Sequence, residues 1–263
     1  MHRTIGCVAG GFELICEIEP ATRPDLVRVR RQIGVLSAVT SDFLIPDNHI
    51  GRATVSSIAV AHEVRSMGGR AIACLNARDR NVLGFRRDLL TAAAYGVDEF
   101  LFVYGDRPET GRRSDDLNVR RMLEHARAFD PALRLGVSCR LEALPDWKRS
   151  ADSLFVQVSF SPERLLAWRS TVAFDGPVYA GVMVVASAAM ARKLGAEVPQ
   201  LAVPTEIVDL LERDGSAGVQ LACELVQTIR DSGAFEGVHL IPVNHSREVV
   251  RRLETMGLFE PGR

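Results

Sequence analysis

Lysine is almost missing. Lys148 and Lys193 are the only two in 263 residues, so thirty of the 32 basic side chains are arginine. GC-rich coding produces that skew, and it also multiplies planar forks suited to carboxylates and phosphates. Cysteine is scarce and unpatterned: Cys7, Cys16, Cys74, Cys139 and Cys223 are odd in number, form no CxxC pair and mostly sit in apolar runs. That excludes a disulfide framework and argues against a metal site, leaving buried free thiols in a reducing compartment. Net charge is missing as well, with 32 basic against 33 acidic side chains. No nucleic-acid or membrane partner is expected from such a balance. No apolar run is long enough to span a bilayer, since Val178 to Met190 is short and rich in Ala, Ser and Gly. Met1-His2-Arg3-Thr4 opens no signal peptide, so a soluble, cytoplasmic protein is expected. There is no Walker loop, zincin helix, GxSxG elbow or GxGxxG fingerprint, and the Gly-Gly pairs at 10–11 and 68–69 read as turns.

What is present is ordinary globular composition, 47% hydrophobic and 25% charged, arranged in a repeating order. Short apolar runs at Phe12–Glu19, Asp42–Pro46, Ala71–Leu75, Glu99–Val103, Leu135–Cys139, Ser153–Val158, Val178–Val182 and Val238–Val243 read as strands. Between them lie helical segments at Ser56–Met67, Phe85–Tyr95, Asp115–Phe129, from Ser161, and at Ser187–Leu194, Thr205–Arg213, Ala217–Ser232 and Ser246–Met256. Eight strands alternating with helices require parallel pairing, and in about 260 residues they suit a closed barrel better than an open sheet. No linker or composition break divides residues 1–263. The expected fold is α/β, a single (β/α)8 TIM barrel.

Reactive groups of such a barrel lie where strands end and loops begin. Strand 1 ends with Glu17 and Glu19, strand 2 at Pro46-Asp47-Asn48-His49, and strand 3 runs into Asn76-Ala77-Arg78-Asp79-Arg80-Asn81. Strand 4 runs into Tyr104-Gly105-Asp106-Arg107-Pro108, strand 6 carries Gln157, and strand 8 ends in Asn244-His245. Each alone has a bland reading, as a structural ion pair, a helix cap or a backbone partner. Together they furnish one rim. Glu17 and Asp106 are expected to face one cavity. There, repulsion and desolvation keep one carboxyl protonated beside an ionised one, as protonating one atom while stabilising positive charge on another requires. Gln157 and Asn244 supply neutral amides for a flat heterocycle.

These positions resemble the methylenetetrahydrofolate reductase family. The strongest likeness is Arg78-Asp79-Arg80-Asn81, then Arg87-Asp88-Leu89-Leu90, Gly96, and Tyr104-Gly105-Asp106-Arg107-Pro108. Cys16-Glu17-Ile18-Glu19-Pro20 is similar to the family's first strand, Asp47-Asn48 before Ser56-Ser57 to its second, and Gly237-Val238-His239-Leu240 through Asn244 to its last. The resemblance covers roughly residues 12–255. It implies hydride transfer to the methylene carbon of a methylene-tetrahydropterin, with a small folate or pterin as substrate. Glu17 would act as general acid and Asp106 as electrostatic stabiliser. Gln157, Asn244 and His245 would bind the substrate, and Asp47, Asn48, Asn76, Arg78, Tyr104, Gly105 and Arg107 the cofactor.

The chain departs from the family where FAD is usually held. Pro46 replaces a threonine, Cys74 a histidine and Tyr104 an arginine, and residues 140–152 are too few for a crossover helix. A hydride still needs a donor that no side chain supplies. FAD held differently, NAD(P)H used directly, and a deazaflavin of the coenzyme F-420 type acting as a cosubstrate are the candidates. The loss of the tight pocket favours the last, with Arg78, Arg80, Arg107, Arg112 and Arg113 available for an acidic tail. The main alternative is a non-catalytic pterin-binding paralogue. An unrelated barrel aldolase or isomerase ranks last, because neither lysine falls at a strand end. Association into a homo-oligomer is left open.

Overall fold

The computed structural model describes residues 11–198 and 201–259. Strands β1 (Glu13–Glu17), β2 (Asp42–Ile45), β3 (Arg70–Asn76), β4 (Glu99–Val103), β5 (Arg134–Cys139), β6 (Ser153–Val156), β7 (Val178–Met183) and β8 (Gly237–Ile241) pair in parallel. β8 returns to pair with β1, Ile15 lying opposite His239, so the sheet closes in sequence order. The expected (β/α)8 barrel is therefore the fold, and each strand lies within a residue or two of its place in the apolar pattern. Gln157, expected inside the sixth strand, stands just beyond its end.

Nine helices are found among the described residues: α1 (Val27–Leu36), α2 (Ser57–Ser66), α3 (Val82–Ala94), α4 (Val119–Phe129), α5 (Pro162–Thr171), α6 (Ala188–Glu197), α7 (Thr205–Arg213), α8 (Ala217–Ser232) and α9 (Ser246–Thr255). α1 was not expected, because Val-Arg-Val-Arg alternates like a strand. Its buried residues Val29, Ile33 and Leu36 nevertheless recur at helical spacing. α4 begins at Val119 rather than at Asp115. Asn118 caps it by accepting from the Arg121 N–H at 3.0 Å, while Asp115 stays in the loop paired with Arg113. The Ser161-Pro162 signal gives the expected cap, the Ser161 hydroxyl accepting from the Arg164 N–H at 3.2 Å. Between β5 and β6 the chain makes only a 3₁₀ turn, Asp146–Ser150, as its shortness requires.

Outward-facing strand residues pack against the helices in one large apolar cluster, and a smaller inner one fills the barrel. α6 and α7 form an extra helical pair with its own small core around Val185, Ala191 and Leu211. Cys16, Cys74, Cys139 and Cys223 are free and buried, while Cys7 lies outside the described residues. Burial pushes the Cys139 thiol up to about 11 and that of Cys223 up to about 12, which suits inert packing groups. No helix among the described residues is long and apolar enough to cross a membrane.

Candidate active site

Strand alternation sends every second side chain into the barrel, and these stack in levels. At the N-terminal floor, Arg70 grips Glu99 through two bonds of 2.9 and 2.7 Å and Glu13 through one of 2.9 Å. Arg134 adds a contact of 3.0 Å to Glu99, and the Tyr179 hydroxyl donates to Glu13 at 3.0 Å. Above that plug Ile15, Leu44, Ile72, Leu101, Phe155 and Tyr179 fill the middle. Polar groups return at the C-terminal mouth.

Glu17, the last residue of β1, stands at that mouth with its side chain 12% exposed. Its neighbour is His239 of β8, whose Nε2 lies 3.2 Å from Glu17 Oε2. The pair is close but not aligned, so Nε2 has no hydrogen-bond partner among the described residues. Phe155 meets the imidazole edge-on, with ring centroids 6.0 Å apart. Gly181 on β7 lets the end of β6 approach closely, since a Cβ there would come 2.5 Å from the Val156 carbonyl oxygen. His239 belonged to the recognised last-strand motif but was not singled out. Its inward alternation on β8 and the pairing of the first strand with the last were the signals that could have found it.

Asp106 is exposed on the β4–α4 loop, where its Oδ2 accepts the Ile50 N–H at 3.1 Å. No hydrogen bond or ion pair links the two carboxylates, and among the described residues no arginine pairs with either. The Ile50 contact ties the loop after β4 to the loop after β2, and Glu17 and Asp106 stand at or after the C-terminal ends of β1 and β4.

The β2, β3 and β4 loops are knitted into one polar network. Asp47 is buried and accepts from the Asn76 backbone N–H at 3.0 Å, from Asn76 Nδ2 at 2.8 Å and from Arg80. Asn48 donates to Asp79 Oδ2 at 3.0 Å, and Asn76 reaches the same oxygen at 2.9 Å. Burial works to raise Asp79, but hydrogen bonds from Asn48, Asn76 and Arg78 outweigh it and hold its carboxyl below the usual range. Arg80 also bonds Asp88 at 2.8 Å. Gly105, at φ +94°, lies against Asn76, where a Cβ would approach within 2.9 Å. Tyr104 is exposed, with Arg113 over its ring at 5.1 Å, and Arg107 is exposed. The residues expected to bind the cofactor are therefore brought together, yet Asp47 and Asn76 spend their polar groups on one another.

Gly51 joins the β2 and β4 loops. It sits at φ +73°, and a Cβ would run into the Arg107 carbonyl. Gly51→Ala is expected to lose about 2 kcal/mol through left-handed strain plus displacement of the β4 loop. A urea midpoint equal to that of the unsubstituted protein would show that this contact is dispensable.

Gln157, half-buried just past β6, makes no side-chain hydrogen bond among the described residues, while its N–H donates to the Cys139 carbonyl at 2.8 Å. Asn244, at φ +64°, is exposed, and its side-chain oxygen accepts from Arg28, which also pairs with Glu19 at 2.9 Å. That amide is already engaged. His245 lines a cavity of about 560 Å³ between the end of β7 and the starts of α8 and α9, with Arg251 and Arg252 on its wall. Neither Glu17 nor Asp106 reaches it.

The site can accordingly offer a shielded carboxyl with an imidazole at hand, an amide just past β6 and an exposed carboxylate on the loop after β4. No group of three or more metal-binding side chains occurs among the described residues.

Residues 147–257 match the family described as Methylenetetrahydrofolate reductase. No curated protein sequence matches the chain significantly. Among solved structures, the chain is similar to an uncharacterized protein from Clostridium thermocellum that binds two copies of 5-methyl-5,6,7,8-tetrahydrofolic acid. The identity is 12% over 94% of this chain and 96% of that one, with a TM-score of 0.67. The EDTA monooxygenase of Chelativorans sp. BNC1 is similar at 9% identity over 96% of both chains, TM-score 0.53. A GH18 chitinase from Pseudoalteromonas aurantia is similar at 13% identity over 92% and 99%, TM-score 0.51. At these identities the structural likenesses establish the barrel alone.

Proposed function

We propose that the chain is a member of the methylenetetrahydrofolate reductase family, whose model matches residues 147–257, and that it reduces a 5,10-methylene-tetrahydropterin, folate or a relative, to the 5-methyl form. The observation that carries this reading is Glu17, shielded at the barrel mouth, with His239 Nε2 at 3.2 Å. An acid there can protonate the ring nitrogen as the five-membered ring opens. The methylene carbon is then left as an iminium, electrophilic enough to accept hydride. Asp106, exposed on the same rim, would steady the positive charge, and Gln157 would hold the pterin edge with its side-chain amide. The ligand named for the Clostridium thermocellum protein, a 5-methyl-tetrahydrofolate, is the product this reaction would give.

His239 would return a proton to Glu17 between turnovers, as an imidazole beside a carboxyl is suited to do.

The residues fit a resident FAD poorly. At the β2–β4 loops, Asp47, Asn76 and Arg80 form a closed network, and no helix follows β5. The hydride donor is therefore read as a dissociable cosubstrate of the deazaflavin type, with FAD and NAD(P)H as the alternatives to be tested. Exposed Arg107, Arg112 and Arg113 stand on the β4–α4 loop, where an acidic donor tail could meet them.

Purified protein is expected to be colourless. It should convert methylene-tetrahydrofolate to the methyl form with one of four donors, namely reduced deazaflavin, reduced FAD, NADH or NADPH. Conversion with none of them, alongside measurable pterin binding, would replace the reductase by a non-catalytic binding protein.

A further inference from the structure

Arg78 is among the largest fully buried side chains, only 2% exposed, in the loop leaving β3. Its Nε lies 3.3 Å from Asp79 Oδ1, but Nη1 and Nη2 are both buried without a partner among the described residues. A guanidinium taken out of water carries a desolvation cost that one long contact does not repay. Such a group needs a physical account.

Among the described residues no side chain supplies the missing partner. Asp79 already serves Asn48 and Asn76 with its second oxygen. Asp47 is held by Asn76 and Arg80, and Asp88 by Arg80. In the loop crossing above, Asp106 accepts from Ile50, Glu109 pairs with Arg52 at 2.6 Å and Asp115 pairs with Arg113 at 2.6 Å. These carboxylates are engaged elsewhere, while the end of the fork offers two parallel donors.

We infer that Arg78 is the receptor for an oxyanion, a carboxylate or phosphate, admitted when the β4–α4 loop lifts. Two parallel N–H donors match two oxygens of such a group and no single water. Neither Nη touches solvent, so the anion cannot enter while the loop is down. Besides the Ile50–Asp106 and Arg52–Glu109 contacts, the loop is tied here by the Ser114 N–H donating to the Arg78 carbonyl at 2.7 Å and the Glu109 N–H to that of Gly51 at 3.0 Å. Gly105 at φ +94° and Gly111 at φ +84° give it pivots near its start and middle. The anion is either free inorganic phosphate or the phosphate of a larger ligand. The site itself does not depend on the reductase reading.

Thermal unfolding tests this with inorganic phosphate replacing chloride at constant ionic strength. The unsubstituted protein should gain about 3 °C in Tm at tenfold saturation, along a saturable curve. Arg78→Met should lose that response and, without phosphate, melt no lower than the unsubstituted protein, because it removes an unpaired buried charge. A flat response of the unsubstituted protein overturns the inference, and so does a phosphate-free Arg78→Met that melts lower. If Arg78→Met does not fold, hydrogen exchange of the unsubstituted protein decides. Phosphate should speed exchange of the Ser114 amide, and unchanged exchange at saturation overturns the inference.

Flavin mononucleotide and riboflavin, alike except for the phosphate, separate the sources. Binding tighter by about tenfold for the phosphorylated form, and competed by phosphate, assigns the anion to a ligand's tail. Equal binding with the Tm response intact assigns it to free phosphate.

Discussion

Glu17→Gln should lower turnover of a methylene-tetrahydropterin by about 10²- to 10⁴-fold, the usual worth of a positioned proton donor. Glutamine keeps the shape of the side chain and its place above the apolar middle of the barrel, so the melting temperature and pterin affinity should stay close to those of the unsubstituted protein. The contrast carries the information. A loss confined to kcat identifies a group acting in the transition state, whereas a rise in KM alone would make Glu17 a binding residue. Steady-state kinetics with the active donor, together with equilibrium binding of the methyl product, would measure both. Unchanged turnover removes Glu17 from the chemistry, and with it the reason for His239 to stand beside it.

The second large effect lies at the opposite end of the barrel. Arg70→Met strips the cation from Glu99, Glu13 and Asp42, which approach it at 2.7, 2.9 and 3.6 Å. Glu99 is buried, so its charge is left with only Arg134 at 3.0 Å. Breaking a buried pair in this way costs about 3–5 kcal/mol. Arg70 keeps 29% of its side-chain exposure, which places the expected loss near the lower end, about 3 kcal/mol.

The pH dependence has a definite sign. Burial lifts the Asp42 carboxyl above its usual range, even against the attraction of Arg70. A carboxyl raised on folding favours the native state below its unfolded value of about 3.9 and loses that contribution as pH rises through its folded value. Without Arg70 that rise becomes larger. The deficit of the variant should therefore be greatest at pH 7 and shrink as pH falls towards about 4. Urea unfolding at the two pH values measures it. A deficit equal at both would mean that water, and not the arginine, satisfies these carboxylates.

Much of the molecule was open to a reading of the chain. All eight strands announced themselves as short apolar runs, because a strand buried on both faces must be apolar throughout. The missing helix after β5 followed from counting residues 140–152. α1 was hidden because its arginines alternate with valines over a stretch too short to separate two periodicities. The rim residues were also legible, since strand ends select them. Their partners were not. The order of strands placed Asp106 on the rim, but not its contact with the Ile50 N–H. Asn244 was expected to hold a ligand, yet its oxygen meets Arg28.

The chain by itself determined the alternation, the parallel pairing and the side of the barrel on which chemistry gathers, because these depend on spacing along the backbone and on chirality. Only tertiary structure decided which charges meet. Closing β8 onto β1 brings His239 to Glu17, and the floor gathers Arg70, Glu13, Asp42, Glu99 and Arg134 from five strands. The loop over β3 leaves the guanidinium of Arg78 idle. Electrostatic and hydrogen-bond energies depend on distance and enclosure in space, and neither is written in the order of residues.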